Sequence, residues 1–586
     1  MKLHTVNKLF FTILFGCTTL FSTISVSAQK NHYPTTNFRP PLDIPLMLAG
    51  NFGELRNNHF HSGIDIKTNG VEGYNVYAAE DGYVSRIKIS PWGYGTALYI
   101  THNNGYTTVY AHLQKLTGKI GEYVKTAQYK KESFEIELFP TKQELPVTKG
   151  DVVALSGNSG GSTAPHLHFE IRSNKNSNPM NPLKFGFDIK DTIAPKLRSA
   201  AIYAVDKNSM INGSNKTKWE KALPGKNGYY MNNGAMPTVH GNIAFGIEGN
   251  DFLNDAPNPC GFYSVELYVD TTLIYYHIIE DYGFDETRYI NSLVDYERKA
   301  RLGRKIQKCY LDPNNKLTIC KYVKNKGVYN FNDDTIHNIQ YIIKDAYDNT
   351  STLNFKVKSV SNYTPKLVTI KDSISNTTLM KFDKDNHFVT ADLSVIIPKN
   401  ALYDDLYFEY TMSKPVKNGL SNIHHIHNEL TPLHKSITVA IAPTVEIPKN
   451  LKSKVIIVRT NKAGEIRKSE GGKWVGDKMS MTTKEFGNFR LSVDTVKPYI
   501  RPINIYNNKN MRNNQTLVVA MSDNIAGVKY YKGTINGKWI LMEYDGKRGR
   551  LTYTFDEHCP KGKNEFKFVA TDGRQNTAVY KANFVR

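Results

Sequence analysis

The chain has 586 residues, 40% of them apolar and 11% aromatic, with a formal charge of +21 at pH 7. That length predicts several folded units rather than one core, and the composition is that of globular material. No clustered basic motif accompanies the charge, which argues against nucleic acid as a partner; a solvated lysine surface accounts for it, with attraction to an anionic envelope surface as the other reading.

Residues 1–28 read as a secretory leader. Lys2 and Lys8 make the positive start, the apolar stretch runs from Leu9 to Phe21, and Val26-Ser27-Ala28 puts small residues at the cut. Leu14-Phe15-Gly16-Cys17 loosely resembles a lipobox, but Phe15 is bulky and apolar residues continue past Cys17, so a lipoprotein is the weaker reading. The expectation is export to the periplasm or cell envelope, with no transmembrane segment in the mature chain. Pro34, Pro40, Pro41 and Pro45 make residues 29–50 an extended arm. Beyond it, Tyr74–Ala79, Gly82–Ile89 and Ala97–His102 are predicted as short antiparallel strands broken by glycine.

Four pieces between Asn51 and Arg172 carry chemistry: His61-Ser62-Gly63-Ile64-Asp65, Tyr110-Ala111-His112-Leu113, Lys149-Gly150-Asp151-Val152, and His166-Leu167-His168-Phe169-Glu170. In a strand, residues two or four apart share a face, so His61 with Asp65, and His166 with His168, can each converge on one point. Imidazole nitrogen and carboxylate oxygen are zinc ligands. Each piece alone is weak; together, with glycine-rich turns between them, they form a specific set. The region resembles the catalytic domain of the lysostaphin-like (LytM-type) zinc metallopeptidases, which cut peptide cross-links in bacterial cell walls. Phe52-Gly53-Glu54-Leu55-Arg56 and Gly157-Asn158-Ser159-Gly160-Gly161 add to the likeness, which spans about residues 45–187. Carried over by position, the resemblance implies that His61, Asp65 and His168 hold zinc and that His112 and His166 are the catalytic histidines that are not ligands. It also implies a water activated by zinc, with the two histidines orienting it, stabilising the oxyanion or moving its proton. Glu170 is read as a carboxylate that fixes an imidazole or as a solvated side chain, and His59 as an outer partner or groove wall.

The segment from about Gln128 to Pro146 expands on the simplest family pattern. Phe134, Ile136 and Leu138 alternate with Glu135 and Glu137, which predicts an added strand in a surface hairpin or groove border. From Asp191 the chain changes character. Asp191-Thr192-Ile193-Ala194-Pro195 recurs as Asp494-Thr495-Val496-Lys497-Pro498, and Asp345-Ala346-Tyr347-Asp348-Asn349-Thr350 as Asp572-Gly573-Arg574-Gln575-Asn576-Thr577. Openings and closings both repeat, so two related β-sandwiches resembling bacterial immunoglobulin-like modules are expected. The whole is expected to be all-β and multidomain: a leader (1–28), a LytM-type antiparallel β-sheet domain with its arm (29–190), a sandwich with insertions (191–360), a divergent β domain (361–493) and a compact sandwich (494–586). Cys309 and Cys320 could close a disulfide around the turn Asp312-Pro313-Asn314-Asn315. His424-His425-Ile426-His427 reads as a solvated loop, with metal binding as the minor alternative, and Trp219, Trp474 and Trp539 as packing residues rather than sugar platforms. The expected partners are peptidoglycan stem peptides and, through the β modules, an envelope protein. The competing functions are a non-catalytic wall-binding or hydrolase-activating protein and a glycan-binding surface protein.

Overall fold

The structure, a computed structural model, describes residues 33–35, 37–232, 234–362 and 377–586. The proposed leader, Cys17 included, lies outside the described residues. Strands dominate throughout, and the fold is all-β and multidomain. Among the described residues no helix is long and apolar enough to cross a membrane.

The N-terminal part consists of β1 (Leu48–Gly50), β2 (Ile64–Lys67), β3 (Asn75–Tyr77), β4 (Gly82–Ile89), β5 (Thr96–His102), β6 (Tyr106–Leu113), β7 (Lys115–Leu116), α1 (Gly118–Lys131), β8 (Ile136–Leu138), β9 (Pro146–Val147), β10 (Val152–Leu155), β11 (His166–Ser173) and β12 (Pro179–Met180). The main sheet runs β1-β2-β11-β6-β5-β4-β8, with β12 on β11 and β9 on β4; β3-β10-β7 form a smaller sheet. One face of the main sheet is dry. Ile64 and Ile66 of β2, Leu167, Phe169 and Ile171 of β11 and Leu98 and Ile100 of β5 are fully buried in one core. Because strand side chains alternate, the polar residues between them are left on the opposite face. The proline-rich arm crosses the dry side. Phe38 and Leu42 join that core, and Tyr77 N donates to Pro41 O at 3.0 Å.

The 128–146 expansion is not a hairpin. α1 runs into it, burying Ile120, Val124 and Gln128 at a spacing of four, and β8 then adds to the edge of β4 with Leu138 opposite Ile87. The expected strand is present; the helix before it was not expected.

Residues 191–362 form an extensive strand network that includes Lys196–Ala204 paired with Thr238–Asn250 and Ile336–Lys344 paired with Thr350–Ser359, around a core containing Ile247, Tyr275 and Tyr341. Residues 377–493 fold into a six-stranded and a five-stranded sheet over a single core, and residues 499–585 into a four-stranded and a five-stranded sheet over another. Two sequence expectations are corrected here. Cys260, Cys309, Cys320 and Cys559 are all free; the Cys309 and Cys320 thiols point to Gln307 O and the Tyr275 hydroxyl instead of to each other. The histidine tract is no solvated loop either: Ile423–Ile426 is a strand and His424 is fully buried against the Tyr410 hydroxyl. Its three histidines take separate partners, so they form no common ligand set. Trp474 donates to Lys452 O at 2.8 Å and Trp539 packs on Tyr129, as packing residues do.

The four parts close on themselves. The Asn51 side chain exchanges two hydrogen bonds with the Gly261 backbone, 2.9 and 2.8 Å long, while Phe52 and Phe60 pack on Tyr282. Farther on, Asn314 donates to Leu402 O at 2.7 Å, and Tyr289 stacks on His434. Lys454 donates to Asn576 Oδ1 at 2.7 Å. Finally α1 receives the last part. The Tyr129 hydroxyl donates to Asp556 Oδ2 at 2.7 Å, its ring stacks on His558 at 3.7 Å between centroids, and Lys125 pairs with Glu557 at 3.0 Å.

Candidate metal centre

The polar face of the main sheet gathers Asp65, His112, His166, His168 and Glu170, with His61 on the loop beside it, whereas the Lys149–Val152 piece leads into β10 of the smaller sheet and Lys149 bonds Asp81 and Glu80 instead. Register does most of the placing. His168 on β11 lies directly opposite Asp65 on β2 and Ala111 on β6, one residue before His112. His61 does not sit on a strand. It ends the loop before β2, and the chain turns into the strand at Gly63, where a Cβ would stand 2.3 Å from Phe169 O; only glycine fits so close to a neighbouring backbone.

His61 Nε2, Asp65 Oδ1 and His168 Nδ1 meet at one point, with separations of 3.1, 3.0 and 2.9 Å for the His61–Asp65, His61–His168 and His168–Asp65 pairs. All three residues are buried. Their outer contacts fix the protons. His61 Nδ1 is 2.7 Å from Asn51 O, which can only accept, so the hydrogen is on Nδ1 and Nε2 offers a lone pair. His168 Nε2 is 2.8 Å from Glu170 Oε1, which leaves its Nδ1 bare in the same way. With the imidazoles neutral, two lone pairs and a carboxylate oxygen face one another, a repulsive arrangement that a bound metal ion, or in its place a proton on His168, relieves. The donor set fits zinc.

The electrostatics agree. Burial lowers the pKa of His168, but hydrogen bonds to Asp65 and Glu170 outweigh it and raise the value to about 9. Burial raises the Asp65 carboxyl, but His61, His166 and His168 more than reverse this and hold it well below the usual carboxylate range. Burial lowers the His61 pKa, with Asp65 opposing. The shifts of Asp65 and His168 both favour positive charge beside the carboxylate, while that of His61 favours its neutral form. Arg56 pairs with Asp65 Oδ2, so the two carboxylate oxygens are assigned separate tasks. Glu170 is fully buried and takes the first of its two expected roles: besides His168 it accepts from Ser62 at 2.7 Å, from Arg172 Nε at 2.6 Å and from Tyr94. Asn51, Ser62, Tyr94 and Arg172 were not singled out from the sequence, since nothing in their local spacing marks them. Exposed His59 turns to Asn57 O and stands at the rim.

His112 and His166 lie side by side, ring centroids 4.8 Å apart. His112 Nδ1 is 2.9 Å from Ser159 O and His166 Nδ1 2.9 Å from Ala164 O, so both present an unprotonated Nε2. His166 Nε2 is 3.4 Å from Asp65 Oδ1 and has no hydrogen-bond partner. Burial, together with repulsion from His168 and His166, depresses the His112 pKa to about 3, so its imidazole is neutral at ordinary pH. His112 also holds a left-handed backbone, φ 58°, uncommon for a residue with a side chain and found where a fold fixes a functional group. Both histidines border a cleft of about 700 Å³ that Arg56, Lys67 and Asn258 also line.

The sequence profile of peptidase family M23 matches residues 59–129 and 135–182, the span that contains all five residues. This is a LytM-type M23 peptidase domain. Over 123 residues the chain is 33% identical to the DD-carboxypeptidase/endopeptidase Mpg of Neisseria meningitidis serogroup B, covering 21% of this chain and 22% of that protein. It is 29% identical over 145 residues to the peptidoglycan DD-endopeptidase ShyB of Vibrio cholerae, covering 25% and 28%. Lysostaphin of Staphylococcus staphylolyticus is 30% identical over 132 residues, 22% of each chain. The chain therefore spans less than a third of the length of these relatives. Among solved structures, the catalytic domain of lysostaphin from Staphylococcus simulans is 26% identical and covers 23% of this chain and 87% of its own, with a TM-score of 0.18. Residues 377–494 match a Zu5-like domain, where the sequence had been read as a divergent β domain over 361–493.

The last part of the chain reaches the M23 domain beside this centre. The Lys547 ammonium donates to Ser162 O at 2.9 Å and to Asn158 O, on the loop whose Ser159 O holds His112. Lys547→Ala is expected to reduce turnover roughly two- to tenfold, the worth of about 0.5–1.5 kcal/mol, and to leave metal content unchanged, as kcat and metal analysis of the purified variant will show.

Proposed function

We propose that the M23 domain is a zinc-dependent endopeptidase that hydrolyses peptide cross-links of peptidoglycan, in a protein exported to the periplasm or cell envelope. The observation that carries the reading is the set of three bare ligand atoms, His61 Nε2, Asp65 Oδ1 and His168 Nδ1, within 4.8 Å of one another. His61, Asp65 and His168 would hold the ion. Zinc bound there would supply Lewis acidity toward a scissile carbonyl and lower the pKa of a water to about 7. The named activities of the Neisseria and Vibrio relatives supply the substrate class.

The chain's own residues do the rest. Neutral His112 offers an Nε2 able to take a proton from the attacking water, the unpartnered Nε2 of His166 stands beside it, and once protonated either can stabilise the oxyanion or pass that proton to the leaving amine. Ser159 O and Ala164 O hold the two rings in the required tautomer. Glu170 and Asn51 orient the ligand imidazoles from behind. Arg56 is engaged by Asp65 and Glu54, so Lys67 is the cation that matches the carboxylates of stem peptides in the cleft. The β-rich remainder of the chain would serve to hold the domain against the wall or an envelope partner.

Purified sacculi incubated with the mature protein are expected to release muropeptides, detected by mass spectrometry, with the release suppressed at least about 100-fold by a chelator and restored by zinc. Binding to sacculi without release would overturn the endopeptidase reading in favour of a wall-binding or hydrolase-activating protein.

A further inference from the structure

A second cluster of ligand atoms lies at the junction between the M23 domain and the part that follows. Asp191, Asp251 and Asp345 each bring a carboxylate oxygen within 4.8 Å of the others. Asp191 and Asp345 are 154 residues apart, with Asp251 between them, and the span they bracket folds as one strand network. Two are held in place by their surroundings. Asp345 Oδ1 accepts from Tyr347 N at 2.8 Å and Asn349 N at 3.0 Å, and its Oδ2 from the Asn349 side chain at 2.8 Å. That same amide donates to Asp191 O at 3.2 Å, and Asp191 Oδ1 accepts from Ile193 N at 3.0 Å.

Asp251 differs. It is 2% exposed, and its Oδ1 has no hydrogen-bond partner. The Tyr347 hydroxyl next to the cluster is likewise buried and unpartnered. A buried carboxylate oxygen with nothing to satisfy it, beside two other carboxylates, is a costly arrangement unless something positive enters. The strain shows in the protonation. Burial, then repulsion from Asp191 and Asp345, pushes the Asp251 carboxyl up to about 8, and burial with repulsion from Asp345 pushes Asp191 up to about 6.

The repeat supplies an internal comparison. Asp494, Asp523 and Asp572 form the corresponding cluster in the last part, with Asp572 bound to Arg574 N, Asn576 N and the Asn576 side chain as Asp345 is bound to its own turn. There, position three of the turn is Arg574, whose guanidinium lies close enough to Asp494 and Asp572 to be attracted by both. In the first cluster the same position is Tyr347. One copy thus carries a cation of its own, and the other carries a hydroxyl.

We propose that Asp191, Asp251 and Asp345 bind a calcium ion. The cluster offers only oxygen, the donor calcium prefers; imidazole and thiolate, which would favour zinc, are absent from it. Cys260 lies close by, but burial pushes its thiol up, so it stays protonated and is a poor ligand. Asp251 and Cys260 exchange backbone hydrogen bonds of 3.1 and 2.8 Å, Gly261 is clasped by Asn51, and Asn51 O holds His61. Calcium at this junction therefore braces the strand that supports the loop of the zinc centre. The proposal does not depend on the peptidase reading, because its measurements are of binding and stability.

The mature chain, stripped of metal and reloaded with zinc, is titrated with calcium chloride by isothermal calorimetry and then melted. One calcium is expected per cluster carrying Asp251, together with a rise in Tm of at least about 2 °C at saturation. Asp251→Asn and Asp191→Asn are each expected to remove both signals and keep the zinc, whereas Asp523→Asn keeps both. No heat and no shift in the wild-type chain overturns the proposal, whether or not the variants fold. So does a calcium response that persists in a folded Asp251→Asn or Asp191→Asn, and an equal response to magnesium chloride overturns the assignment to calcium.

Discussion

His61→Ala is expected to lose the metal and the activity together. The substitution removes one of three bare donor atoms, and the remaining two, Asp65 Oδ1 and His168 Nδ1, are only 2.9 Å apart, close enough for His168 to satisfy the carboxylate by taking a proton. The raised pKa of His168 favours that outcome. Even outer partners of metal ligands are worth roughly 10–100-fold in affinity, so a ligand is expected to be worth more than about 100-fold. Metal analysis of the dialysed variant by plasma mass spectrometry, beside muropeptide release from sacculi, reads both losses. Folding is a separate matter: the side chain leaves Asn51 O without its partner, while Asn51 keeps both hydrogen bonds to Gly261, so the loop is expected to stay in place. A variant that retains full zinc and turnover would remove His61 from the centre and sink the ligand assignment.

His112→Ala is expected to separate the two properties. His112 is not one of the three atoms that converge; its Nδ1 is tied to Ser159 O, and its Nε2 faces the cleft beside His166. Its loss should leave the zinc stoichiometry at wild-type level and lower kcat by about 10²–10⁴, the usual worth of a positioned acid or base. KM should move little, because the imidazole acts on the proton being transferred and not on the bound peptide chain. Loss of zinc along with turnover would instead make His112 a ligand. His166→Ala need not match it: His166 Nε2 also approaches Asp65 Oδ1 at 3.4 Å, so its removal disturbs a ligand as well as the proton path.

The part of the centre that could be read from the sequence is the part that alternation fixes. His166, His168 and Glu170 alternate with Leu167, Phe169 and Ile171, and a strand with one dry face has no other way to lie. The placement of Asp65 across from His168 follows from pairing, which no local pattern shows. His61 was expected on the same strand as Asp65 and lies on the loop before it, because Gly63 lets the backbone pass against Phe169 O. The supports were invisible for a related reason. Asn51 and Tyr94 act across the fold, ten residues from His61 and 76 from Glu170, and contribute through contacts that only the folded chain makes. α1 lies mostly before the segment expected as strand: Ile120, Val124 and Gln128 share a helical face, whereas the alternation of Phe134, Ile136 and Leu138 marks only the strand that follows. In the histidine tract, polarity suggested a solvated loop, and the Tyr410 hydroxyl and Asn488 side chain that make a buried histidine tolerable lie on other strands.

The closure of the chain bears on how the last part stays beside the cleft of the M23 domain. Lys125, Tyr129 and Glu132 touch partners 400 or more residues ahead of them, at Glu557, Asp556 and Lys532. Those contacts are few and largely at the surface, where ion pairs are weak. They need not be strong, since the intervening folded parts deliver Asp556 to Tyr129 at a high effective concentration and the entropy of bringing the ends together has already been spent in the other three interfaces. Cut from its tether, residues 494–586 would drift away from the peptidase at ordinary protein concentrations, and Lys547 would leave with them.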